Sequence, residues 1–192
     1  MSLPACLVTS SPSFEEPERT PPFLLGPTAR PDLHQIKVVD LKGAPEIEFS
    51  AQVRSEDNGE DVLGRLVLDY GSPLSGPGIP FQATLDETRV EASTLDDTTR
   101  SLTTQWYPFD ESLGCHTVTL FATHEIDLDT RCPADPKDFD SLTWTVIVCN
   151  SVQAPCCDPN PPAGQPGCAD FKCPDVDPNA RCDQTQDTGG TP

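Results

Sequence analysis

Between residues 34 and 150 the chain is cut into short segments in which apolar and polar residues alternate, and none of them keeps an amphipathic helical repeat for three turns. The segments 36–41, 47–54, 63–70, 81–85, 102–108, 115–126 and 142–149 are enriched in Val, Ile, Thr, Phe and Trp. Each is bounded by Gly, Pro, Asp, Asn or Ser clusters. Seven such segments in about 117 residues predict an all-β chain folded as an antiparallel β-sandwich of about seven strands.

Alternation also assigns side chains to faces, because successive residues of a strand point to opposite sides of the sheet. In the last two segments, Val118, Leu120 and Ala122 share one face, as do Leu142, Trp144, Val146 and Val148; these are the expected core faces. Cys115, Thr117, Thr119, Phe121 and Thr123 take the opposite face of the first, and Thr143, Thr145, Ile147 and Cys149 that of the second. Placing Cys115 across from Cys149 sets Thr117 against Ile147, Thr119 against Thr145 and Leu120 against Trp144, whereas a one-residue slip would break the match. A Cys115–Cys149 disulfide is therefore expected.

Composition changes on either side of this region. Pro12, Pro17, Pro21, Pro22, Pro27 and Pro31 mark residues 1–33 as a semi-extended spacer, since proline lacks an amide donor and fixes one backbone dihedral. Phe23, Leu24 and Leu25 are candidates for docking on the domain edge. Residues 151–192 carry Cys156, Cys157, Cys168, Cys173 and Cys182 among Pro, Asp, Asn and Gly, with few apolar side chains. Such a tail cannot bury enough surface to offset its ordering entropy, so disulfides would have to order it. The expected organisation is a spacer over 1–33, a sandwich over 34–150 and a disulfide-rich or irregular tail over 151–192.

The whole sequence holds nine cysteines, 22 prolines and one methionine, the usage of an exported, disulfide-stabilised protein. Near its start stand Leu3, Pro4, Ala5 and Cys6. This quartet resembles the lipobox that ends a bacterial lipoprotein signal, and the resemblance implies lipidation of Cys6 and residence in a bacterial cell envelope, at its outer membrane. Setting Cys6 aside leaves Cys115, Cys132, Cys149, Cys156, Cys157, Cys168, Cys173 and Cys182, an even number that can pair completely. Cys132 is expected to join Cys156 or Cys157. Zinc is disfavoured, because the tail cysteines lack the close paired spacing of a zinc site. No stretch of about 18 apolar residues occurs, so attachment to a membrane is expected through the lipid only.

The run Leu113, Gly114, Cys115, His116, Thr117, Val118, Thr119, Leu120 resembles the penultimate strand of bacterial immunoglobulin-like and PKD-type domains. The likeness implies an immunoglobulin-like sandwich. The early strands carry no cysteine, so the inter-sheet disulfide of antibody domains is absent.

Candidate chemistry is sparse. Asp127, Asp129, Asp135, Asp138 and Asp140 crowd the loop between the last two strands, and their hard oxygens suit calcium. His116 and His124 lie roughly 26 Å apart along one extended strand, too far to share a metal or a proton, and read as histidines at the edge of the core. Trp106 and Trp144 are core candidates. No nucleophile elbow, metalloprotease helix, phosphate loop or dinucleotide fingerprint is present. With 31 acidic against 12 basic residues the formal charge is -19, which repels polyanions and excludes nucleic acid as a partner. The expected function is a non-catalytic envelope lipoprotein with no cofactor, presenting its sandwich to an envelope protein or glycan. The alternatives are a calcium-dependent adhesion or matrix module using residues 125–140 and the tail, and a hydrolase whose site the sequence does not reveal.

Overall fold

The computed structural model describes residues 19–43, 46–56, 59–71, 80–92, 99–108, 113–152, 156–158 and 168. Eight strands run through them: β1 Phe23–Arg30, β2 Lys37–Asp40, β3 Ile47–Arg54, β4 Val62–Leu68, β5 Ala83–Val90, β6 Thr99–Trp106, β7 Gly114–Thr123 and β8 Phe139–Cys149. They form a sandwich of a three-stranded sheet, ordered β1-β3-β6, on a five-stranded sheet, ordered β2-β8-β7-β4-β5. Pairing is antiparallel except between β2 and β8, which are parallel.

β1 corrects the expected spacer, since the sandwich begins at Phe23 rather than near residue 34. Pro27, the one proline inside β1, is compatible with a strand because β1 is an edge and its pairing with β3 is irregular between Leu25 and Arg30. The chain then crosses between sheets at Pro31. There Trp144 Nε1 donates to the Pro31 carbonyl at 2.6 Å, tying the crossing to β8.

β3 shows why the two layers adhere. Ile47, Phe49, Ala51 and Val53 are buried and alternate with exposed Glu48, Gln52 and Arg54, so one face is apolar and the other wet. Opposite lie Leu66, Leu68, Val118, Leu120, Trp144, Val146 and Val148 from the five-stranded sheet. The Phe49 ring sits 5.0 Å from that of Trp144, edge-on, and 6.4 Å from that of Trp106, anchoring the centre of the core. Gly64 of β4 lies against Leu102 of the facing sheet and Thr88 of the neighbouring strand β5. A methyl group there would stand 2.8 Å from both a Leu102 methyl and a Thr88 methyl, so those side chains would have to shift to admit it.

The β7–β8 ladder preserves the expected faces but is displaced by two residues. Cys115 faces Ile147, Thr117 faces Thr145, Val118 faces Trp144 and Thr119 faces Thr143. A shift of two leaves every side chain on its face, so alternation could not detect it. Cys149 consequently lies beyond the ladder, past the Gly114↔Val148 pair, out of position for Cys115.

The outer face of the five-stranded sheet is not left to solvent. At one end Val67, Phe81, Phe121 and Cys132 form a second apolar cluster with Tyr70 and Phe139. The Phe121 ring lies edge-on to Tyr70 at 4.9 Å and to Phe139 at 5.9 Å. At the other end Cys115, Ile147 and Cys168 form a third, flanked by Ile36, Val38 and Cys157.

Candidate functional site

The acidic loop between β7 and β8 is folded by its own carboxylates. Asp127 Oδ1 accepts the Asp129 amide at 2.9 Å, the Thr130 amide at 2.7 Å and the Thr130 hydroxyl at 2.9 Å. These bonds, those of Thr130 foremost, hold the Asp127 carboxyl below its ordinary pKa. Asp127 N and the Cys132 carbonyl close the loop at 2.8 Å, and Asp135 Oδ1 accepts the Lys137 amide. Asp140 is spent on the sandwich, its Oδ2 accepting the Leu24 amide and its Oδ1 the Ser141 amide, each at 2.8 Å. Of the five aspartates expected to gather round calcium, Asp127, Asp135, Asp138 and Asp140 are thus drawn to separate donors. Among the described residues no three His, Cys, Asp or Glu side chains are placed to hold a metal ion.

Asp138 takes part in an arrangement that the sequence did not signal. Its Oδ1 lies 2.7 Å from His124 Nδ1, and His124 Nε2 lies 3.0 Å from Ser55 Oγ. The connectivity is that of a serine-hydrolase triad. Its surroundings are not. The His124 and Asp138 side chains are 1% and 3% exposed and Ser55 is 1% exposed, so no substrate carbonyl can approach the hydroxyl. Asp138 also accepts the His124 amide at 3.3 Å and stands 3.6 Å from Arg19 Nη1, while Nη2 of the same guanidinium pairs with Glu60 at 2.9 Å. The group joins the end of β3, the end of β7 and the start of β8 across the core.

His116 closes the opposite end. Its Nδ1 lies 2.8 Å from Asp69 Oδ2, while Asp69 Oδ1 accepts the Thr117 amide at 2.8 Å. Asp69 sits in the left-handed region at φ 52°, a conformation that Asp tolerates better than most residues, and its own amide donates to the Thr117 carbonyl at 2.7 Å. Both histidines are buried carboxylate partners. On the outer face Arg65, 2% exposed, donates to Glu87 and to the Arg131 carbonyl, each at 2.5 Å. Desolvation lowers its pKa, and Glu87 opposes that.

Six of the cysteines fall among the described residues, and all six are in disulfides. Cys149 is joined to Cys156 and Cys157 to Cys168. This corrects the expected Cys115–Cys149 bridge, and equally the expected union of Cys132 with Cys156 or Cys157. The cause is the two-residue displacement: Cys149 sits at the very end of β8, with Cys156 only seven residues further on. Cys115 and Cys132 are both disulfide-bonded, in separate apolar clusters at opposite ends of the sheet. Their partners therefore lie outside the described residues, where Cys6, Cys173 and Cys182 are found. The lipidation expected at Cys6 falls outside them too.

No family model matches this chain, and no curated protein matches it. Solved structures do show likeness. The CARDB domain of a Pyrococcus furiosus protein, crystallised in complex with di-metal ions, is 14% identical over 59% of this chain and 86% of that one, with a TM-score of 0.37. AggA, the major subunit of aggregative adherence fimbriae type I from Escherichia coli, is 14% identical over 70% of this chain and 100% of its own, with a TM-score of 0.36. An ASH/PapD-like domain of human CEP192 is 12% identical over 77% and 97%, with a TM-score of 0.29. Likenesses at this level concern β-sandwich architecture alone.

Proposed function

We propose that this chain is a non-catalytic module of a bacterial envelope, exported, anchored by lipid on Cys6, and presenting its sandwich to a protein or glycan of that envelope. The observation that carries the reading is the oxidised state of every described cysteine, which fits an oxidising compartment and not a reducing cytosol. Pairing Cys115 and Cys132 with Cys173 and Cys182 would use eight cysteines and leave Cys6 for the lipid. The burial of Ser55, His124 and Asp138 supports a non-catalytic role, because this triad-like group, the one seen among the described residues, is sealed from solvent.

The test is expression from the native chromosomal locus, in a bacterium that processes lipoproteins. Mass spectrometry of the mature N-terminal peptide is expected to find Cys6 carrying a diacylglyceryl group, and Cys6→Ser is expected to shift the protein from the membrane to the soluble fraction. An unmodified Cys6 in a soluble native protein would defeat the reading.

A further inference from the structure

Where β1 leaves the three-stranded sheet, it stops covering β3. The last β1–β3 pair is Arg30↔Ser50, yet β3 extends to Ile47. Along β3 the Gln52 amide points toward β1, where Thr28 Oγ1 accepts it, and the Phe49 carbonyl points toward β6, accepting from Thr104 Oγ1. Antiparallel strands direct both polar groups of a residue to the same side and switch sides at each step. The amide and carbonyl of Glu48 therefore face the β1 side, beyond the end of that pairing. Across the gap lies β2, itself the outer strand of its sheet. Between them runs a groove of about 220 Å3, lined among others by Pro31, Lys37, Asp40, Glu46, Ile47 and Glu48.

The face above this edge has its own character. Glu46 and Glu48 are exposed at alternate positions, and Glu48 is paired in register with Gln105. Tyr107 is 48% exposed, with its hydroxyl 3.2 Å from Gln105 Oε1. A hydrogen bond to Glu46, then desolvation, then the charges of Glu46 and Asp86 raise its phenol above the ordinary value. Three carboxylates and one ammonium line the groove, and Glu48 enters no ion pair among the described residues.

We propose that this open edge of β3 docks an extended, basic segment of a partner protein, which adds as a strand where β1 departs and sets alternate Lys or Arg side chains against Glu46, Glu48 and the Tyr107 ring. The inference rests on the reading of the chain as a presenting module and names the partner's chemistry. Backbone pairing to Glu48 supplies the strand geometry, as in other cases of strand addition to an exposed edge. Side chains two residues apart on the added strand repeat at roughly 7 Å, the same interval that separates Glu46 from Glu48 along β3, so both carboxylates meet a cation at once. An ammonium or guanidinium over an exposed tyrosine gains a further attraction. The charge of -19 favours such a segment at long range, and the edge sets its register.

The experiment uses the full, oxidised chain and a fluorescein-labelled heptapeptide, Thr-Lys-Val-Lys-Val-Lys-Thr, read by anisotropy and by amide shifts in two-dimensional NMR. Saturable binding is expected, with the largest shifts at Ile47 and Glu48. A peptide of equal composition with its three lysines contiguous, and one N-methylated at the central residues, are expected to bind at least about tenfold more weakly; Glu48→Lys, at an exposed position with unchanged melting temperature, is expected to do the same. Equal binding by the rearranged peptide and by the variant would reduce the effect to bulk charge and overturn the proposal. So would no binding, shifts centred elsewhere, or occupation of the same amides by a neutral oligosaccharide instead. Lipid on Cys6 is read in a different assay, so either conclusion can fail alone.

Discussion

Truncating Asp138 isolates the energetic role of the buried Ser55, His124 and Asp138 group. Asp138→Ala removes the acceptor of the His124 ring proton and of the His124 amide, at 2.7 and 3.3 Å, in a site where the two side chains are 3% exposed or less. Each donor left unpaired in a buried site costs about 1–3 kcal/mol. The Arg19 contact adds less than about 1 kcal/mol, since its guanidinium is 39% exposed. The expected loss is thus about 2–7 kcal/mol, a large part of the ~5–15 kcal/mol that holds a typical domain together. Asp138→Asn keeps an oxygen for the ring proton and is expected to lose only about 1 kcal/mol, as is Ser55→Ala, which leaves one ring nitrogen without its hydroxyl. Urea unfolding of the oxidised protein at neutral pH reads these values as changes in midpoint at a constant slope. A loss below about 0.5 kcal/mol for Asp138→Ala would refute the reasoning, because a sealed carboxylate with two good donors cannot be removed so cheaply. A fluorophosphonate probe supplies the complementary result: the native protein is expected to remain unlabelled at Ser55, whereas labelling would mean that the site opens.

Gly64→Ala is expected to destabilise the sandwich by about 1–3 kcal/mol, seen as a lower urea midpoint, because the new methyl group must displace Leu102 and Thr88 from 2.8 Å contacts. Trp144→Phe removes the donor to the Pro31 carbonyl and some core volume, and an expected loss of about 1–3 kcal/mol is read by the same denaturation. Asp127 is expected to titrate below its ordinary value of 3.8 when followed by carboxyl NMR. A depressed folded pKa means that its contribution to loop stability is present above the unfolded value and lost as pH falls through the folded one, so acid should release Asp129 and Thr130 amide protection before the sandwich opens. Asp127→Ala should remove that acid step.

The sandwich was legible because its inner faces are written in alternation. The segment 47–54 coincides with β3 to the residue, and the division of β7 and β8 into an aliphatic and a threonine-rich face holds in the structure. What alternation cannot convey is anything unchanged by a slip of two residues, and the pairing of Cys115 depended on such a slip. β1 was hidden by Pro27 and Pro31, which signal a linker locally, although Pro27 is tolerated on an edge strand. The covered outer face was hidden by its threonines, although Val67, Phe121 and Phe139 on that side were a usable sign that something packs there. The buried triad-like group left no trace, because Ser55 and His124 are 69 residues apart and meet only through the topology. The open edge of β3 was equally silent, since it depends on where β1 stops pairing.

The central claim is that oxidation stitches the segment after β8 onto the sandwich and leaves Cys6 unbridged. Disulfide mapping tests it most directly: protein exported to an oxidising compartment is alkylated without reduction, digested and sequenced by mass spectrometry. The account predicts linked peptides Cys149–Cys156 and Cys157–Cys168, with Cys115 and Cys132 each bridged to Cys173 or Cys182 and Cys6 in no bridge. A Cys115–Cys149 linked peptide, free thiols at Cys157 and Cys168, or Cys6 in a bridge would contradict it.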